Sequence, residues 1–309
     1  MSTHHHRLGR RAFLGGCATL VASPALAQFN PFGGSRGGFD LGRVLSGAQD
    51  LFQGMSLGEA DEIRMGEAFY GPFIDRSGGP YRNRAAQAAI AQFAAPIIRS
   101  SQRPQLPWEF VLLEDDTVNA WALPGGKLAI NKGLVRYCDD PAELAAVIAH
   151  EVGHAELSHA LAQMKSEAFG KSLTQVGREV LTQRLSGAGG ALTGAVLDAL
   201  RDPIYSMITS GYSQSSEFAA DAHVLQVFDV AGYDPAKASR FFRTLLQLIP
   251  PDASATTSLF STHPGTRERI VKLDEQARKG KMPAFPAAER GWTELKSVFP
   301  TRRVYRRTA

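Results

Sequence analysis

His150-Glu151-Val152-Gly153-His154 decides how this 309-residue chain is to be read. At about 100° per residue, His150 and His154 lie roughly 40° apart around a helix and one turn apart along it, so both rings reach a single ion. Glu151 lies on the flank of the same face, where a general base for water activated at a metal belongs. The flanks predict a helix: Asp140 is a cap, Pro141 a first-turn proline, Glu143 an early acid, and Leu144, Val147 and Ile148 an apolar stripe. Gly153 costs roughly 1 kcal/mol against alanine in a helix, a cost that close approach of another backbone or side chain would explain. An H-E-x-x-H run alone arises by accident on the order of once per hundred or more chains of this length, so a third ligand is required.

His159 follows His150 by nine residues, about 180° around a continued helix, and is expected to face away as a helix-face or core histidine. The extended pattern H-E-x-x-H-x-x-G-x-x-H needs histidine where Ala160 stands, which excludes that subclass. Glu217 and Asp221 lie four apart on a segment whose apolar residues, Phe218, Leu225, Val227 and Phe228, suggest a buried helix. Two carboxylates one turn apart in such a helix need partners. A metal and its histidines would supply both. Glu217 would be the third ligand, leaving a fourth tetrahedral position for water, and Asp221 would accept a hydrogen bond from the far nitrogen of His150. The alternative is a solvated helix edge, or a salt bridge to Arg201 or Arg240.

These motifs, together with Asn119 to Gly126, Gly133-Leu134, Glu143 to Ala149, Ser216 to Asp221, Ala231 to Pro235, and Ser261-Thr262-His263-Pro264 with Arg269-Ile270, resemble the M48 family of zinc metallopeptidases in order and spacing. The resemblance covers about residues 57 to 275. It implies a zincin-like core, one zinc ion per chain held by His150, His154 and Glu217, and endopeptidase activity on protein substrates. It also singles out His263 and Arg269 as helpers of the charged intermediate. His263 would either donate a hydrogen bond to the oxyanion or occupy the open zinc position and hold the enzyme off. One departure from the family's habit is Val224, where a small residue is common. His223 has no place in the motif and reads as a surface or packing residue.

Trp108 to Leu113, Asn119 to Ala122 and Lys127 to Asn131 read as short strands, the last two joined by Pro124-Gly125-Gly126. The resemblance makes Asn119, Ala120, Trp121 and Ala122 an edge strand along the cleft, able to pair with an extended substrate. An ordinary buried hairpin fits the pattern equally well. The expected fold class is α+β and predominantly helical, a zincin-like domain with a small sheet beside the active-site helix.

Residues 1–27 read as a twin-arginine signal: Arg10-Arg11-Ala12-Phe13-Leu14, an apolar stretch through Leu26, and an A-x-A site at Ala25-Leu26-Ala27. The stretch is short for a membrane span. Cys17 follows the arginines too closely for a lipoprotein box, which favours soluble export to the periplasm over lipid anchoring. The formal charge of +4 then falls to +1, because Arg7, Arg10 and Arg11 leave with no acid. A nucleic-acid surface is therefore poorly supported. Of the two cysteines only Cys138 remains, which excludes an intramolecular disulfide.

Residues 28–40 read as a glycine-rich flexible linker, 41–285 as the peptidase domain, and 286–309 as a C-terminal extension. Amphipathic helices are expected near 41–54, 57–70 and 82–99. Leu185 to Pro203 reads as a mobile lid or hairpin with peripheral membrane contact, or as a packed helix with a glycine hinge. The function expected is zinc-dependent cleavage of unfolded or misfolded envelope proteins, with an exported chaperone-like protein carrying a closed zinc site as the alternative. Nothing in the sequence sets the oligomeric state.

Overall fold

A computed structural model describes residues 57–165, 193–248, 259, 262–264, 266–284, 287 and 289–301. The signal, the linker, the helix expected near 41–54 and the first part of 185–203 lie outside them. The sheet is built from β1 (Glu109–Leu113), β2 (Ala120–Leu123) and β3 (Lys127–Asn131), in the order β1-β3-β2. β1 runs parallel to β3, while β2 and β3 form an antiparallel hairpin with Trp121 opposite Ala129. Its turn, Pro124–Gly126, has φ 71° at Gly125, and a Cβ there would lie 2.8 Å from the Glu62 carbonyl oxygen. Glycine is required by conformation and by space together.

Helices flank the sheet in chain order: α1 (Glu59–Arg76), α2 (Arg84–Arg99), α3 (Lys132–Val135), α4 (Pro141–Glu156), α5 (His159–Met164), α6 (Gly194–Ser210), α7 (Gln214–Ala231), α8 (Arg240–Leu248), α9 (Thr266–Ala277) and α10 (Trp292–Val298). Period-two alternation divides the core. Leu112, Ala120, Ala122, Leu128 and Ile130 face α2, α4 and α7, whereas Leu113, Trp121, Leu123 and Ala129 face α1 and α6. The mostly helical architecture with a small mixed sheet beside α4 agrees with the expected fold class.

α4 is capped as the sequence predicts, with Asp140 accepting from the Ala142 N–H and the Glu143 carboxylate reaching back to the Asp139 and Asp140 N–H groups. Its burial exceeds the stripe expected, for every residue from Ala142 to Ala155 is buried. A helix enclosed on all sides is the rigid centre of the domain. α6 is a packed helix, burying Val196, Leu200, Ile204, Met207 and Ile208 and leaving Asp198 and Arg201 paired outside. Among the described residues no helix is long and apolar enough to cross a membrane. Leu295 and Phe299 enter the core shared by α2 and α4, so this part of the segment set apart as an extension packs with the domain.

Candidate metal centre

α4 presents His150, Glu151 and His154, and α7 crosses it with Glu217 and Asp221. The close crossing explains Gly153: a Cβ there would meet the Cβ of His223 at 3.1 Å and its Cγ at 3.2 Å. His223, buried on α7, places Nδ1 3.2 Å from the Ala149 carbonyl oxygen and Nε2 3.2 Å from Glu156. It is therefore the packing residue that fixes the distance between the two helices bearing the site.

The Nε2 atoms of His150 and His154 stand 3.0 Å apart. Glu217 Oε2 lies 3.4 Å from the first and Oε1 3.4 Å from the second. His263 Nδ1 comes within 3.2 Å of His150 Nε2 and 3.1 Å of Glu217 Oε2. One donor atom from each of His150, His154, Glu217 and His263 falls within 4.8 Å of all the others, and all four residues are buried. Two imidazoles and a carboxylate, with a third imidazole beside them, are a donor set that suits zinc. Glu151 does not join it. That residue is 2% exposed, and neither of its carboxylate oxygens has a hydrogen-bond partner among the described residues. His263 Nε2 lies 3.4 Å from Glu151 Oε1, and a buried carboxylate that accepts no hydrogen bond next to a donor cluster fits a site completed by a metal and a water.

Behind the donors, Asp221 Oδ1 is 3.0 Å from His150 Nδ1. Arg269 Nε and Nη2 donate to Asp221 at 2.8 and 2.7 Å, and its Nη1 pairs with Glu217 Oε2 at 2.7 Å. Arg269 is fully buried, with its guanidinium 4.6 Å from the centre of the Phe242 ring. The partner of the two carboxylates is thus neither Arg201 nor Arg240. Every nitrogen of Arg269 faces a protein group, which places it behind the donor atoms.

Burial raises the carboxyl of Glu151, against the pull of His263 and His150. Burial would also raise Glu217, but His263, His150 and His154 hold it far below the usual range. For Asp221 burial is again overcome, here by Arg269 and His150, leaving it at about 2. Burial and Arg269 disfavour the charged form of His150, yet Asp221 and Glu217 bring it up to about 9. Burial drives His154 well below its ordinary value despite Glu217. His150 is therefore backed by a carboxylate, and His154 is not.

What backs His154 was missed in the sequence. His159 was expected to face away, but α4 ends at Glu156 and Ser158 adopts φ 53°, so α5 starts in a new direction. The turn brings His159 Nδ1 to 2.9 Å from His154 Nδ1. Burial lowers His159 to about 4. Tyr212, equally unforeseen, stacks on the His154 ring with centroids 4.3 Å apart. An aromatic residue just before the Ser213 cap was the only sequence signal for it. Of the strand residues, Asn119 precedes β2, while Ala120, Trp121 and Ala122 lie in it. β2 is an edge strand by sheet order, but all its residues are buried.

The model of peptidase family M48 matches residues 83–277. The beta-barrel assembly-enhancing protease of Escherichia coli K12 is 26% identical over 268 residues, 85% of this chain and 52% of that protein. Metalloprotease YcaL of the same organism is 25% identical over 246 residues, 79% of this chain and 91% of its own length. The mitochondrial metalloendopeptidase OMA1 of Arabidopsis thaliana is 30% identical over 168 residues, 54% of this chain and 31% of that protein. The chain spans about half the length of the assembly-enhancing proteases it matches. With the family model covering well over half of its residues, including both helices that carry the donor cluster, the chain belongs to peptidase family M48.

Proposed function

We propose that the protein is a zinc-dependent endopeptidase acting on unfolded or misfolded proteins. The observation that carries this reading is the convergence of His150, His154 and Glu217 beside a buried Glu151 whose oxygens have no hydrogen-bond partner among the described residues. Zinc held by those three would supply Lewis acidity, acidifying water and polarising a carbonyl. Glu151, with its carboxyl raised by burial, takes the proton from the attacking water and returns it to the leaving amine nitrogen. Asp221 orients His150, His159 orients His154, and Arg269 balances the charge of Glu217 and Asp221.

His263 has two roles open to it, and the position of its Nδ1 among the donors favours the closed one. On this reading its Nδ1 would complete the donor set with His150, His154 and Glu217 at rest. When it swings away, its imidazole is placed to stabilise the oxyanion. The twin-arginine pattern points to the periplasm as the compartment, and the name of the Escherichia coli assembly-enhancing protease fits envelope proteins as substrates.

The test is zinc content together with degradation of casein. Glu151→Gln keeps zinc and loses cleavage, and His263→Ala keeps zinc and cleaves faster than wild type. Undiminished cleavage by Glu151→Gln would sink the mechanism. Binding of unfolded chains without turnover in both wild type and His263→Ala would favour the chaperone-like alternative.

A further inference from the structure

A cavity of about 260 Å³ lies between β2, α1 and α6. Phe73, Trp121, Tyr205 and Ile208 give it apolar, mainly aromatic walls, and Asn119 and Asn131 add amides. Both of its borders lead to the metal centre. On one side Thr262, which lines the cavity, adjoins His263, and its hydroxyl lies 3.4 Å from Asn119 Oδ1. The Leu259 N–H donates to the Val118 carbonyl at 3.1 Å, tying the start of β2 to the segment that bears His263. On the other side, α6 passes Tyr205 and Ile208 along the cavity and leads to Tyr212, stacked on His154.

The rings hold one another in place: Phe73 meets Trp121 edge-on with centroids 5.8 Å apart, and Tyr205 likewise at 4.9 Å. Such walls are preorganised for another ring. An apolar cavity of roughly 150 Å³ accommodates benzene, so a phenol fits here with space to spare. Asn131 then sets the polarity of the occupant. It is 3% exposed, its Nδ2 donates to Thr117 Oγ1 at 2.8 Å, and its Oδ1 has no hydrogen-bond partner among the described residues. A buried amide oxygen of this kind rewards a ligand that brings a donor. An anionic occupant is disfavoured, because Arg76 at the rim is engaged by Asp202 at 2.5 Å and Asp115 also lines the cavity.

We propose that this cavity is a specificity subsite for a tyrosine side chain of the protein substrate, its ring among Phe73, Trp121 and Tyr205 and its phenolic O–H donated to Asn131 Oδ1. The proposal rests on the peptidase reading and gives that site its substrate class.

Zinc-loaded Glu151→Gln enzyme is titrated with three fluorescent glycine-serine decapeptides that differ only in one central tyrosine, phenylalanine or alanine. Tyrosine binds at least about fivefold tighter than phenylalanine, and phenylalanine tighter than alanine. Adding Asn131→Leu removes the tyrosine advantage and keeps the aromatic one, whereas Asn131→Asp, which retains an acceptor, preserves it. The ratio of affinities does not depend on the folded fraction, so loss of stability in a variant does not mimic the result. Equal binding of the tyrosine and phenylalanine peptides, no binding of either, or an advantage that survives Asn131→Leu overturns the subsite. Casein left intact by the zinc-loaded wild type and by His263→Ala, alongside tyrosine-selective binding, overturns the peptidase reading instead. Casein cleaved with no tyrosine enriched at a fixed distance from the cut overturns only the subsite.

Discussion

Replacing Arg269 with methionine tests whether a single buried cation holds the donor cluster together. Asp221 receives two hydrogen bonds from its guanidinium, Glu217 pairs with Nη1 at 2.7 Å, and the arginine is wholly enclosed. Methionine keeps much of the volume and the contact with Phe242 while removing the charge. Breaking a buried ion pair by deleting one partner costs roughly 3–5 kcal/mol. In a domain of this size that lowers the melting temperature by roughly 6–20 °C. The pH dependence supplies a second check. Asp221 is held at about 2 against an ordinary 3.8, so its ionised form contributes on the order of 2 kcal/mol. A depressed carboxyl gives stability that is present above pH 3.8 and lost as pH falls towards 2. Without Arg269, burial is less opposed and the Asp221 carboxyl rises. The deficit of Arg269→Met is therefore largest near pH 7 and shrinks on acidification. Urea unfolding of zinc-stripped wild type and variant from pH 7 down to about pH 2.5 measures it. A deficit below about 1 kcal/mol at pH 7, or one that grows as pH falls, refutes the assignment.

Three further perturbations probe the supports of the site. Asp221→Asn weakens the partner of His150 and lowers zinc affinity roughly 10–100-fold in chelator competition. His159→Phe removes the partner of His154 and weakens zinc retention, while His159→Asn, which can still accept a hydrogen bond, retains more; equal retention by the two would show that His159 only fills space. Gly153→Ala gains roughly 1 kcal/mol of helix propensity but drives a methyl onto His223, whose ring is held at both nitrogens. Overpacking of about 1–3 kcal/mol exceeds that gain, so chemical denaturation is expected to show a net loss of up to about 2 kcal/mol.

The parts of the fold legible in the sequence were those written in local chemistry. Asp140, Pro141 and Glu143 specify the start of α4 because each answers a backbone need within four residues of itself. The β2–β3 hairpin was legible for the same reason, since its glycines occupy positions of positive φ. What encloses those elements was not legible. α4 shows one apolar stripe by residue type, but its alanines and glycine bury the other faces too, because small side chains let α7 approach closely. Hydrophobicity identifies a buried leucine more readily than an alanine buried by its neighbour.

The same distinction runs through the site. His150, Glu151, His154, Glu217 and Asp221 could be placed together because helical periodicity fixes their relative directions and buried carboxylates demand partners. His159 defeated that reasoning at one torsion angle: Leu157-Ser158 offers neither glycine nor proline, yet Ser158 takes φ 53° and rotates the following residue onto His154. Arg269 was found, but its direction was not, since whether a buried arginine faces substrate or ligand depends on which carboxylates lie within reach. Both carboxylates belong to α7, and two buried carboxylates one turn apart require a cation close by, which Arg269 supplies. Under the proposed ligation by Glu217, Asp221 and Arg269 follow as the groups that orient His150 and offset the charge of the helix. Arg269 offsets the negative charge of both carboxylates, pairing with Glu217 at 2.7 Å and with Asp221 at 2.7 and 2.8 Å.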